Sequence, residues 1–268
     1  MKAKNVLLII IFLFMGLLLN AQCKISNQAF QAGEELTYDL YFKMGLLNPK
    51  AGFSTLTLEA DKYEGKEALK AQLIAKSTGA AAKMFALSDT MTSYISKELV
   101  PFAFYKEAHE GGEYTKEKIT YQYLDGMVTI DSQRDKNGEF RYAETVTSTG
   151  CVYDMLSVVF YARTLDYSSM KKGDSHFVEF ISGKNKLNMT IEHDGFEQIK
   201  ANNKAKYDCI KLVLNISDND AFKDKKEAMK VYITNDENRM PIRIDSKLKV
   251  GSTQAILKSY KGNRYPVD

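Results

Sequence analysis

The sequence is poor in the residues that build disulfide scaffolds and histidine-rich metal centres. Its 268 residues include three cysteines, three histidines and four prolines. Three cysteines make a sparse and odd-numbered set, which argues against a small fold held together by disulfides. Four prolines leave most of the chain free to form strands, and sixteen tyrosines and fourteen phenylalanines favour strands. The composition therefore indicates a strand-rich fold.

Strong charge asymmetry and familiar catalytic motifs are also missing. The formal charge is +3, and acidic and basic residues alternate rather than cluster, so nucleic acid is not an expected partner. The sequence has no Gly-x-Ser-x-Gly motif and no glycine-rich phosphate loop. These absences leave no motif from which to predict a reaction or a cofactor, and we predict none.

The first residues have the order of a secretory signal peptide. Lys2 and Lys4 precede an apolar run from Val6 to Leu19, and Ala21 is a small residue at a suitable cleavage position. The run is shorter than the roughly 20 residues of a membrane-spanning helix, and no later stretch is long and apolar enough to span. We therefore predict a signal peptide over residues 1–21 and a soluble, periplasmic protein. Cys23 leaves open the alternative of an outer-membrane lipoprotein, although Gln22 is larger than a lipobox favours.

After the leader, the apolar residues alternate as they do in half-buried strands. Leu36, Tyr38, Leu40 and Phe42 share one face of the first such stretch. Asp-Gly and Asn-Gly pairs, which favour two-residue turns, separate later stretches. These pairs are Asp125-Gly126, Asn137-Gly138 and Asp194-Gly195. No linker rich in proline, glycine or serine interrupts the pattern. The sequence predicts one all-β domain over residues 22–268, mainly antiparallel, as a large curved sheet or half-barrel meander.

Two stretches break the alternation and favour helices. Val152–Arg163 has apolar residues at helical spacing, and the alanine-rich stretch Gly79–Leu87 favours a shorter helix. If both pack on the concave face of the sheet, the interior is either filled or holds a lipophilic ligand. The residues predicted to line such a cavity are Met84, Phe85, Met155, Leu156, Val159 and Phe160.

The remaining chemical candidates are weak. Cys151 precedes the predicted central helix, whose dipole would activate a thiol, but no partner base is evident. Glu107 and His109 share one face of a predicted strand, and two ligands do not make a zinc site. We therefore predict no catalytic residues, no metal site and no enzymatic activity. Cys151 and Cys209 are the most plausible disulfide pair, and two small buried side chains are the alternative.

Several segments occur in a characteristic order, among them Phe30–Tyr38, Tyr153–Ser157, Tyr161–Arg163, Val231–Thr234 and Arg239–Ile244. Together they resemble a family of exported β-rich proteins of Gram-negative bacteria, the domain of unknown function 3108 family. The resemblance implies a cell-envelope location and supplies no catalytic residues. The plan of a curved sheet with a helix is also similar to that of periplasmic lipoprotein carriers, in which a half-barrel holds acyl chains.

These observations lead to three hypotheses about function, of which a hydrolase built around Cys151 or His109 has the least support. The first is a non-enzymatic periplasmic or envelope protein that binds a lipid or another apolar ligand on the concave face of the sheet. The second is a protein–protein interaction module of the envelope that offers exposed sheet edges, with the closing strands Met229–Tyr260 as the predicted free edge.

Overall fold

A computed structural model describes residues 23–43, 45–217, 226–247 and 251–267. The predicted signal peptide, residues 1–21, lies outside the described part of the chain. The described residues form fifteen strands and two short helices. The first eight strands are β1 Glu35–Lys43, β2 Lys50–Tyr63, β3 Lys66–Ser77, β4 Leu87–Ile95, β5 Pro101–Glu110, β6 Glu113–Leu124, β7 Met127–Lys136 and β8 Glu139–Ser148. The others are β9 Val152–Tyr153, β10 Ser175–Ser182, β11 Asn185–Lys200, β12 Lys206–Ser217, β13 Lys226–Thr234, β14 Pro241–Lys247 and β15 Ser252–Lys261. Helix α1 is Gly79–Met84 and helix α2 is Ser157–Arg163.

All fifteen strands belong to one sheet, in the order β8-β7-β6-β5-β4-β3-β2-β1-β15-β14-β13-β12-β11-β10-β9. Two meanders, β1–β8 and β9–β15, join where β1 pairs with β15. Neighbours pair antiparallel except β9 and β10, which run parallel over two residues. The sheet curls into a nearly closed barrel. The predicted all-β fold, mainly antiparallel and strongly curved, is confirmed.

The two edges of the sheet, β8 and β9–β10, meet along a line that we call the seam. The Ser132 hydroxyl on β7 donates a hydrogen bond of 2.7 Å to the Gly183 carbonyl in the β10–β11 turn. The Ser148 hydroxyl at the end of β8 donates one of 2.6 Å to the Glu179 carboxylate on β10. The chain itself crosses the seam between β8 and β9. Side-chain bonds and this crossing, rather than a continuous ladder, therefore hold the two edges together.

Two of the three dipeptides predicted to form two-residue turns do so, and the third does not. Asn137 and Gly138 have φ values of 53° and 81°, as the two-residue turn predicted for an Asn-Gly pair requires. Asp194-Gly195 was predicted as a third such turn, and that prediction is wrong. Strand β11 runs through the pair, and its register with β12 shifts between His193 and Phe196. Gly195, with φ 92°, forms a bulge that bends the strand instead of reversing it.

The predicted central helix exists but begins later than the apolar spacing indicates. Val152 and Tyr153 pair with β10, and α2 starts at Ser157. The Asp154 carboxylate accepts the backbone N–H groups of Leu156 and Ser157 at 2.9 Å, and the Ser157 hydroxyl accepts the Asp154 N–H at 2.8 Å. This reciprocal arrangement is that of a capping box, so it sets the start of the helix. Neither described helix is long and apolar enough to cross a membrane.

Helix α2 lies between two clusters of buried side chains. Leu156 and Phe160 belong to the larger cluster, which draws mainly on β1–β7, and Val158 belongs to the smaller one, from β10–β13. Helix α1, between β3 and β4, buries none of its residues. The interior of the barrel is thus largely filled, with α2 as its central plug.

The predicted free edge lies elsewhere. The closing strands β13, β14 and β15 each have a neighbour on both sides, because β15 pairs with β1 in the middle of the sheet. The prediction that Met229–Tyr260 offers an open edge is therefore wrong. Within the described chain, β8 is the long strand at an end of the sheet.

Candidate functional site

A partly enclosed cavity lies between α2 and strands β10–β14, with a volume of about 120 Å³. We call it the inner cavity. Val158, Val159 and Ala162 of the helix form one wall, and Leu212 and Val231 are part of the opposite wall. Three methionines also line it: Met155, Met189 and Met229. Methionine is flexible and fills irregular space, so this lining can adapt to the shape of a guest.

Arg163 is the one charged residue that lines the inner cavity, and its charge is neutralised. Its Nη1 and Nη2 atoms donate to the two oxygens of Glu34 at 2.5 and 2.8 Å, and Nη2 also donates to the Asn238 carbonyl at 2.9 Å. The guanidinium lies 4.9 Å from the ring centre of Phe30. Its Nε group has no hydrogen-bond partner among the described residues. The cavity therefore combines hydrocarbon and thioether walls with one charged side chain that keeps a spare donor.

The six predicted lining residues are not brought together. Met155 and Val159 line the inner cavity. Leu156 and Phe160 lie in the larger core cluster, where the Phe160 ring is 4.9 Å from that of Phe30. The helix thus presents its predicted apolar residues on two sides instead of one.

Met84 and Phe85 lie away from α2, at the end of helix α1. Their side chains are 85% and 53% exposed and belong to neither buried cluster. The alanine-rich sequence predicted the helix correctly, but it did not predict that the helix lies on the surface. Contact of any of the six residues with a ligand stays a prediction.

The predicted Cys151–Cys209 disulfide is wrong. Cys151 is bonded to Cys23, with their Cα atoms 5.2 Å apart, and Cys209 is a free, buried thiol on β12. Burial raises the pKa of Cys209 to about 12, so it is an inert core side chain. The N-terminal segment is also tied to the β4–β5 turn, where the Ile25 N–H donates to the Glu98 carbonyl at 2.9 Å.

A second and larger space, an open cleft of about 650 Å³, lies at the seam. We call it the seam cleft. One wall is apolar and aromatic: Tyr153 and Tyr161 stack with their ring centres 4.7 Å apart. Ile25, Met127, Phe177 and the disulfide-bonded Cys151 extend this wall. Polar side chains adjoin this wall: Ser148, Glu179 and Lys186 are joined by hydrogen bonds.

Sequence reasoning missed the seam cleft for a physical reason. Its lining comes from the N-terminal segment, the β8–β9 crossing, α2 and the β10–β11 hairpin, which the closure of the barrel brings together. The spacing of apolar residues within one segment does not indicate which distant segments will lie side by side. The one available signal was Cys23, whose pairing with Cys151 places the N-terminal segment at the crossing.

Cys151 and His109, the weak catalytic candidates, each have a defined bonding or packing partner in this fold. Cys151 is held in a disulfide, which removes its nucleophilic thiol. His109 stacks on Tyr114 beside the β5–β6 turn, with ring centres 4.4 Å apart. No group of three or more histidine, cysteine, aspartate or glutamate side chains is arranged to hold a metal ion in the part of the chain that the structure describes.

Comparison with known families agrees with the order of motifs seen in the sequence. The model of the family described as Protein of unknown function (DUF3108) matches residues 37–258. The chain therefore belongs to this family. No curated protein matches it significantly.

Similar solved structures show the fold alone. A β-barrel-like protein of the domain of unknown function DUF1849, from Brucella abortus, has a TM-score of 0.59 and 8% sequence identity, over 87% of this chain and 98% of that one. A protein provisionally described as exported, with a YmcC-like fold, from Bacteroides fragilis has a TM-score of 0.34 and 12% identity, over 90% and 100% of the two chains. A protein provisionally described as a lipoprotein, from Parabacteroides distasonis, has a TM-score of 0.33 and 12% identity, over 89% and 99%. The last two scores are too low to support an argument.

Proposed function

We propose that this DUF3108 family member is a non-enzymatic periplasmic protein that binds the apolar end of a lipid, or another small apolar molecule, in the inner cavity. One observation carries the proposal: a partly enclosed space of about 120 Å³ lies between the central helix and the sheet, lined almost wholly by apolar side chains. Apolar cavities of about 150 Å³ stay dry and take up small apolar guests, so this one has a suitable size and chemistry.

The size of the inner cavity limits the ligand. A molecule as large as a whole acyl chain requires the lining to move, and Met155, Met189 and Met229 are the side chains best able to do so. Met155 is 44% exposed, so it lies where the cavity lining meets the surface. The spare Nε–H donor of Arg163 favours a guest with one neutral acceptor, such as a carbonyl or ether oxygen.

The disulfide supports the proposed compartment. A buried or surface disulfide persists in an oxidising environment such as the periplasm and is rare in the cytosol. A lipoprotein anchor on Cys23 would use the same sulfur atom that Cys151 holds. A soluble periplasmic protein therefore fits the structure better than the alternative of a Cys23-linked lipoprotein.

Native mass spectrometry of the protein purified from its own envelope without detergent tests the proposal. We expect additional mass that organic extraction removes. Ala162→Leu fills the inner cavity from the helix and should abolish that mass. Ala82→Leu on α1 is the matched control, since it makes the same change on a helix with no buried residue, and it should retain the mass. A ligand-free wild type after reconstitution with lipid extract would contradict the proposal.

A second candidate function rests on strand β8. Ser148 at its end bonds to β10, but the outer side of β8 has no strand neighbour within the described chain, and Phe140 near its start is 63% exposed. Such an edge can accept a strand from another protein. A photo-crosslinking residue placed at Phe140 should capture one defined envelope protein, whereas the same residue at Leu124, which is 74% exposed at a hairpin end, should not. Equal capture at both positions, or none, would exclude this candidate.

A further inference from the structure

The polar side chains of the seam cleft bond to one another and keep spare hydrogen-bond donors. The two carboxylate oxygens of Glu179 accept hydrogen bonds from the Ser148 hydroxyl at 2.6 Å and the Lys186 ammonium at 2.8 Å. The Ser148 oxygen in turn accepts the Gly150 N–H at 3.1 Å. An ammonium group has three donors, so Lys186 keeps two for another partner.

Tyr153 adds a second polar group at the same place. Its side chain is 1% exposed and lines the seam cleft, yet its hydroxyl has no hydrogen-bond partner among the described residues. A buried hydroxyl without a partner is unfavourable and rare in native proteins. Burial raises the pKa of Tyr153, so the hydroxyl stays protonated and can act as a donor. The Lys186 ammonium and the Tyr153 hydroxyl can therefore both donate to a ligand rich in acceptor oxygens.

The apolar wall of the seam cleft suits a hydrocarbon part of a ligand. Met127 and Phe177 are 44% and 50% exposed and face the cleft beside the Tyr153–Tyr161 stack. Exposed apolar side chains that line a concave space are typical of ligand sites. A volume of about 650 Å³ also lies within the usual range for small-molecule pockets, roughly 300–1,000 Å³.

From this pairing of spare donors with an apolar wall, we propose that the seam cleft is a second binding site, for an amphiphile with an anionic headgroup. Lys186 and Tyr153 bind the headgroup, which is a phosphate or a carboxylate, and Met127, Tyr161 and Phe177 cover the attached apolar part. The site is distinct from the inner cavity, because the two spaces share no lining residue and lie on different sides of α2.

Isothermal titration with octyl phosphate, kept below its critical micelle concentration, tests the proposal. We expect one molecule bound per chain, and Lys186→Gln should weaken binding by about tenfold or more, since hydrogen bonds to charged groups are stronger than those between neutral groups. Glu179→Gln should strengthen binding a fewfold, because it removes the neighbouring negative charge. Lys184→Gln is the matched control: Lys184 lies on the same hairpin, 5.9 Å from the Tyr142 ring, and does not line the cleft.

Three further titrations separate the alternatives. Octyl glucoside should bind at least tenfold more weakly than octyl phosphate, and inorganic phosphate more weakly still. Equal binding of octyl glucoside would mean apolar adhesion only, and equal binding of inorganic phosphate would mean a simple anion site; either result overturns the proposal. Ala162→Leu should leave octyl phosphate binding unchanged. If that variant abolishes it, the ligand occupies the inner cavity and the seam cleft is not a site.

Discussion

The two sides of helix α2 pack against the curled sheet with different tightness. On one side, Leu156 and Phe160 are buried in a close-packed cluster with Phe30. On the other, Met155, Val159 and Ala162 border a partly enclosed space of about 120 Å³. Protein interiors are normally packed to the density of organic crystals, so an apolar void of this size is unusual.

The difference teaches how a β interior of this size is filled. A sheet of fifteen strands encloses more space than its own inward side chains occupy, and a helix of seven residues fills part of the remainder. The packed side uses rigid aromatic rings, whereas the open side uses methionines. Rigid packing specifies one structure, and flexible packing leaves room for a guest.

The largest effect is expected where both sides share one residue, at Arg163. Arg163→Met removes the partner of the buried Glu34 carboxylate, whose side chain is 2% exposed. We expect unfolding free energy to fall by about 3–5 kcal/mol, because an uncompensated buried charge remains. Urea denaturation measures the loss. Adding Glu34→Gln should restore much of it, and a double variant as unstable as the single one would contradict this role of the pair.

A pair of truncations compares the two sides directly. Phe160→Ala should cost about 3–4 kcal/mol, as is usual for a buried phenylalanine. Val159→Ala should cost about 1 kcal/mol, because its methyl groups border space that is already empty. Thermal and urea unfolding of both variants test the comparison. A loss at Val159 as large as that at Phe160 would contradict the view that Val159 borders empty space.

Removing the disulfide should destabilise the seam beside the helix more than the packed β1–β7 core. Cys23→Ala combined with Cys151→Ala should lower the unfolding free energy by about 2–4 kcal/mol, because the bond closes a long loop, with a sequence separation of 128. Hydrogen exchange should increase in β8 and β10 while the β1–β7 core stays protected. Equal increases throughout the sheet would show that the seam is not a separate weak region.

A smaller effect depends on pH at the start of the helix. Burial raises the pKa of Asp154, although hydrogen bonds from Ser157 and Ser93 oppose this rise. The folded protein therefore binds this proton more tightly than the unfolded chain does. Its contribution to stability is largest below the unfolded pKa of about 3.9 and falls as pH rises through the higher folded pKa. The stability of the wild type relative to Asp154→Asn should decline from about pH 4 upward, and a flat or rising difference in urea unfolding would contradict this.

The sequence predicted those features that depend on local patterns. Alternation around Leu36 and Tyr38 predicted the strands, and Asn137-Gly138 predicted a turn that the structure contains. Asp194-Gly195 misled because the same dipeptide fits a bulge when the flanking strand continues. The true start of α2 depends on a side-chain cap at Asp154 and on pairing of Val152 with β10, and apolar spacing reports neither.

The candidate sites were harder to predict because they depend on closure of the barrel. Helical spacing placed Met155, Val159 and Phe160 together, but a helix that packs on two sides has no single ligand-facing stripe. The partner of Cys151 was missed because Cys23 is distant in sequence and reaches the crossing only when the sheet curls. Long-range contacts of this kind leave no periodic trace in one sequence.

Diffraction from a crystal pressurised with xenon tests the central claim, that a dry apolar cavity lies beside α2. We predict a xenon atom between Val159 and Leu212, and its loss in Ala162→Leu. Xenon absent from this position in the wild type, or ordered water molecules filling the space, would contradict the claim.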